Sequence, residues 1–128
     1  MTARKRVVEA TRKRSAPQVQ EIRVRVMHDD EPDTSYLDDP ENDRWEQFKN
    51  GDFSFVGVVA EADIVIEGVV QKLTSGSLWG IESDSGDDYI QEVAAEEYGD
   101  LRKILISIGV STSQLQTKFD PTWMKWEA

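Results

Sequence analysis

Apolar and polar residues alternate along residues 19–28, with Ile22, Val24 and Val26 on one side and Arg23 and Arg25 on the other. A period of two places successive side chains on opposite faces, so this segment predicts a half-buried strand. Residues 53–66 are the longest β-type run. Val56, Val58, Ala60, Ala62, Ile64 and Ile66 fall on one face; Phe53, Phe55, Val59, Glu61, Asp63 and Val65 fall on the other. Glu67 and Gly68 then make a two-residue turn into Val69–Thr74, a hairpin signal. That loop sets Ile66 opposite Val69, Val65 opposite Val70, and Asp63 opposite Lys72. The last pair joins unlike charges, which supports the register. Ser75 and Gly76 mark a second turn, and 78–83 a further strand.

Two segments change period to that of a helix. Asp39-Pro40-Glu41 combines a capping carboxylate, a proline at the first helical position and an acid facing the positive end of the dipole. Trp45 and Phe48 lie three apart on one face, and Asn50-Gly51 supplies a left-handed stop, so a short helix docked by two aromatics is expected. The second helix is expected over 86–108, capped by Ser83 or Asp84, with Asp87 and Asp88 in its first turn and Gly109 at its end. Its apolar stripe is Ile90, Val93, Ala94, Tyr98, Leu101, Ile104, Leu105 and Ile108, and Arg102 and Lys103 suit its C-terminal end. Ile90, Leu101, Ile104 and Ile108 should pack on a sheet containing 53–82. The order is strand, short helix, three-stranded meander, long helix. The fold class is therefore α+β: an antiparallel sheet covered by one long helix.

A chain of 128 residues supports one domain, placed at 18–110. Residues 1–17 lack an apolar period and form a basic arm, unstructured alone or ordered only on a partner; 111–128 form a polar linker and an aromatic tail. No run approaches the roughly 18–20 apolar residues of a membrane span. Val7-Val8 is the only apolar pair before Ile22, so no signal-peptide core is expected and the protein is read as cytoplasmic. With no cysteine there is no disulfide, thiolate nucleophile or cysteine zinc site.

Charge changes this picture more than composition does. The net charge is −10, yet residues 1–26 carry eight bases against Glu9 and Glu21, and the rest of the chain carries seven bases against 23 acids. Arg4, Lys5, Arg6, Arg12, Lys13 and Arg14 give the arm its sign, suited to phosphates or to an acidic protein surface. The outer face of the long helix carries Asp88, Glu92, Glu96 and Asp100, each four residues from the last. Like charges at that spacing each destabilise by about 0.2–0.5 kcal/mol. The short helix and the loop before it add Asp38, Asp39, Glu41 and Asp43 to Asp29, Asp30, Glu31 and Asp33. These acids compose a candidate partner-binding surface; a solvated acidic face is the plainer reading.

Catalytic signals are thin. His28, beside Asp29 and Asp30, is the only histidine and reads as a solvated strand end rather than a metal ligand. The acids of 82–88 lack calcium-loop spacing and read as decoration of a helix start. No Walker loop, GxSxG or HExxH occurs. Neither a cofactor nor a metal is expected, and the chain is not read as an enzyme. Glu97 falls inside the apolar stripe, so it needs a partner: Arg23, Arg25 or an indole N–H, or else a polar binding groove. Trp79 is read as core, with Gly80 permitting a close backbone approach.

Residues 75–85, SGSLWGIESDS, are the most distinctive stretch. With the preceding hairpin and the following helix, about 53–108 in all, they resemble small uncharacterised proteins of phages, plasmids and related mobile elements. The resemblance implies a setting rather than an activity: inhibitors of host defence, or regulators. The leading expectation is thus an interaction module whose acidic surface binds a basic protein, a nucleic-acid mimic acting on a host nucleic-acid-binding defence factor. A nucleic-acid-associated protein gripping phosphates through its arm is the alternative, and an enzyme with a carboxylate site is a third.

Overall fold

The computed structural model describes residues 16–38 and 44–128. The first alternating segment is β1 (Gln18–His28), with Val24 and Val26 fully buried. The long β-run is β2 (Phe55–Ile66), antiparallel to β1, with Val26 opposite Val58 and Arg23 opposite Glu61. Glu67 and Gly68, both at positive φ, turn the chain into β3 (Val69–Thr74). The hairpin has the register expected from its two-residue loop: Ile66 opposite Val69, Val65 opposite Val70, Asp63 opposite Lys72.

The three strands do not form a simple meander. β4 (Leu78–Glu82) pairs with β2 rather than with β3, placing Val56 opposite Ile81 and Phe55 opposite Glu82. β2 has 12 residues and β3 only six, so β3 covers the second half of one β2 edge and leaves the first half for β4. Ser75 makes the crossing: its N–H donates to the Ala60 carbonyl at 2.8 Å, and its Oγ accepts the Ala60 N–H at 3.0 Å.

The short helix is α1 (Arg44–Lys49); its expected start at Asp39-Pro40-Glu41 lies outside the described residues. Phe48 meets Phe55 at 5.3 Å and Phe53 at 5.8 Å between ring centroids. With Trp45 and the fully buried Leu37 these rings form a second, smaller core. Phe55 alternates with Val56, so this cluster lies on the sheet face opposite the main core.

The long helix is α2 (Asp87–Ser107). Ile90, Val93, Ala94, Tyr98, Leu101 and Leu105 are buried, most of them against Val24, Val26, Val56, Val58, Ala60, Ala62 and Ile64. Burying a Leu- or Ile-sized side chain stabilises by about 1.5–3 kcal/mol, so this stripe dominates the fold. Two expectations are corrected. Neither Ser83 nor Asp84 caps the helix: Gly86 holds the cap position with φ 98° and no side-chain cap bond. Ser83 Oγ instead accepts the Ser54 N–H, and Asp84 is held by Arg44. Ile108 is not core but 43% exposed. At the helix end Gly109 N–H reaches the Ile106 carbonyl and Val110 N–H the Leu105 carbonyl, a Schellman ending at Gly109 (φ 104°). The reversal buries Val110 in the main core instead.

Residues 111–128, set apart from sequence as a tail, add structure. Trp123 stacks edge-on to Tyr98 at 5.0 Å, and the Tyr98 hydroxyl donates to the Gln116 carbonyl. β5 (Met124–Trp126) joins β1 in parallel, and Glu127 N–H donates to the Val26 carbonyl at 2.8 Å. The result is an α+β fold built on a mixed, open, five-stranded sheet.

Candidate interaction surface

Most carboxylates of the sheet are already matched. Glu61, 4% exposed, accepts Arg23 Nε at 2.9 Å and Arg25 Nη1 at 3.1 Å. Arg23 also grips Asp63 with both terminal nitrogens, at 2.8 and 3.3 Å, and Arg25 Nε reaches Glu127 at 2.8 Å. Alternation explains the grouping: every second residue of β1 and β2 points away from α2, and the arginines of β1 stand beside the acids of β2. The Arg23 hydrogen bond holds the Asp63 carboxyl below the usual carboxylate range. Lys72 stands opposite Asp63 as expected, yet the carboxylate's close partner is Arg23.

Arg44, at the start of α1, is a second clamp. It donates to Glu82 through Nε at 2.9 Å and to Asp84 through both terminal nitrogens, at 3.0 and 2.6 Å. Its guanidinium lies 3.8 Å above the Phe53 ring. The hydrogen bonds between Arg44 and Asp84 lower the Asp84 pKa and raise that of Arg44. The acids of 82–88 are therefore partly consumed in joining α1 to β4.

Glu97 is buried at 8% exposure, as its place in the stripe requires, but its partner was not anticipated. Ser75 Oγ donates to Glu97 Oε1 at 2.7 Å. Neither Arg23 nor Arg25 reaches it, because both point from the opposite face of the sheet. His28 is exposed, 3.7 Å from Asp30.

Trp79 is not core. A bulge between Val56 and Val58 interrupts the β2–β4 pairing, and Gly80 has φ 76°. The bulge separates Trp79 from the buried Ile81 and lays the indole over Gly57, where a Cβ would come within 2.1 Å of the ring. Gly57, not Gly80, is the glycine of close approach; an isolated glycine in a β-branched run was its sequence signal. Asp29 crosses to accept the Gly80 N–H at 3.1 Å. Trp79 remains 47% exposed and Tyr89 45% exposed. Along the outer edge of β4, an open groove of about 350 Å³ runs between Trp79, Ser85 and Tyr89. On its other side Trp79 walls a shallower hollow lined by His28, Asp29, Asp30 and Glu31.

Asp88, Glu92, Glu96 and Asp100 are all exposed on α2, and none makes an ion pair among the described residues. Tyr89 shares their face, since Glu92 and Glu96 follow it by three and seven residues. The indole thus links the acidic loop to the helix row. Asp38 closes a 3-10 turn at Ser35–Asp38. Asp39, Glu41 and Asp43, and the arm bases Arg4, Lys5, Arg6, Arg12, Lys13 and Arg14, lie outside the described residues. Among the described residues, no group of three or more His, Asp or Glu is arranged to hold a metal, and no helix is long and apolar enough to cross a membrane. No family model, curated protein or solved structure matches the chain.

Proposed function

We propose that this chain is a protein-interaction module that binds a basic partner through the acidic outer face of α2. The observation that carries the reading is the contrast in pairing. Carboxylates on the sheet are clasped by Arg23, Arg25 and Arg44, whereas Asp88, Glu92, Glu96 and Asp100 stand exposed without a cation among the described residues. A row of like charges is retained against its own repulsion, at about 0.2–0.5 kcal/mol per pair. The row rises about 6 Å per step and about 18 Å in all. That spacing of negative charge supports a nucleic-acid mimic, and rapid, salt-sensitive association with a Lys/Arg-rich site.

The likeness of 75–85 to proteins of mobile elements supports a cytoplasmic inhibitor of a host nucleic-acid-binding defence factor. A second reading rests on the arm: its excess of bases supports a nucleic-acid-associated protein. One titration separates the two. The full chain and a variant with Arg4, Lys5, Arg6, Arg12, Lys13 and Arg14 changed to Ser are each measured against duplex DNA and an arginine–serine peptide. The interaction module keeps its peptide affinity in the arm variant and does not bind DNA. DNA binding that disappears with the arm bases would favour the second reading.

A further inference from the structure

Among the described residues β4 pairs only with β2. On its outer side the Gly80 N–H is held by Asp29 and the Glu82 carbonyl by Ser85, so this edge offers side chains more than free backbone groups. Leu78, Trp79 and Tyr89 are each more than 40% exposed beside that edge. Three large apolar side chains around one groove mark a contact site rather than scattered surface residues. Its surroundings are acidic. Asp29, Asp30 and Glu31 lie across the indole, Asp88 adjoins Tyr89 in sequence, and Glu92 follows on the Tyr89 face. The cation beside the groove, Arg44, is already held by Glu82 and Asp84.

Aromatic faces beside carboxylates favour a flat, weakly hydrated cation, a description that fits guanidinium better than ammonium. We propose that the groove beside β4 receives an arginine side chain of the partner protein, its guanidinium set between Trp79, Tyr89 and the acids of early α2. This rests on the acidic-surface reading and adds the place of the bound side chain.

The probe is an eight-residue peptide of alternating arginine and valine, added to the full chain at low salt and followed by amide NMR and calorimetry. The expected result is shifts at Leu78–Glu82. Affinity should fall about tenfold or more in W79A/Y89A, and in Y89A alone by several-fold. Replacing arginine by lysine should weaken the peptide several-fold. Shifts confined to 88–100, with affinity indifferent to W79A/Y89A, would overturn the groove and leave the acidic-surface reading standing. No binding by the peptide or its lysine version would overturn both. Concentration-dependent shifts at β4 without peptide would assign the edge to a second copy of the chain and overturn the proposal.

Discussion

The sheet face turned away from α2 and the outer face of α2 are both rich in carboxylates, and they treat them in opposite ways. On the sheet, Glu61 and Asp63 are held by Arg23 and Arg25 on the neighbouring strand, and Glu61 is nearly inaccessible. A charge removed from water must be paired and hydrogen-bonded, and this one has two guanidinium partners. On α2, Asp88, Glu92, Glu96 and Asp100 keep their water and have no ion-pair partner among the described residues. The difference separates structural charge from charge left available. Removing the first should destabilise the fold; removing the second should leave its stability nearly unchanged and alter what it binds.

Arg23→Ala gives the largest expected effect. It removes a bond to buried Glu61 and the paired bonds to Asp63, and should destabilise by about 3 kcal/mol. That is the lower end for a broken buried pair, because Arg25 still holds Glu61. Urea unfolding measures it, and a loss below about 1 kcal/mol would place the network with ordinary surface pairs. Ser75→Ala should come next, at about 1–3 kcal/mol, since it leaves the buried Glu97 carboxyl without its hydroxyl donor. Retained stability there would mean that water replaces the hydroxyl.

Acid gives a third way to weaken the contrast. Asp63 and Asp84 have pKa values lowered by Arg23 and Arg44. Such groups stabilise the fold above the unfolded carboxylate pKa, about 4, and lose that contribution as pH falls through their lower folded values. Stability should therefore decline below about pH 4, and the decline should be shallower in Arg23→Ala. An unchanged slope in that variant would remove Asp63 from the account. The smallest stability effect belongs to the helix row. The double substitution Glu92→Lys and Glu96→Lys removes like-charge pairs on an exposed face and should shift stability by no more than about 1 kcal/mol, in the stabilising direction.

What the sequence disclosed follows the range of the interactions involved. The hairpin register was legible because a two-residue loop and alternation determine it locally, and α2 was legible because its stripe repeats over 21 residues. β4's choice of β2 over β3 was not legible, since it depends on the unequal lengths of two strands. Ser75 as the partner of Glu97 was hidden for a similar reason: the two are 22 residues apart and meet only once β4 has crossed. Ile108 continued the helical period, but the chain reversed at Gly109 and buried Val110 instead. The exposure of Asp88, Glu92, Glu96 and Asp100 could be read from spacing. The groove at Trp79 could not, because it arises from a bulge and from the bare backbone of Gly57.

The central question is whether the row on α2, which has no ion-pair partner among the described residues, is a binding face or only a soluble one. The direct measurement is the affinity of the full chain for an arginine-rich peptide at two salt concentrations, before and after Glu92→Lys with Glu96→Lys. A control reverses equal charge elsewhere, at Asp52 and Glu67, both exposed. The account predicts a loss of about tenfold or more for the helix reversal, a much smaller loss for the control, and weaker salt dependence only in the former. Equal losses in the two variants would show that the peptide senses net charge alone, and would contradict the claim that α2 carries the site.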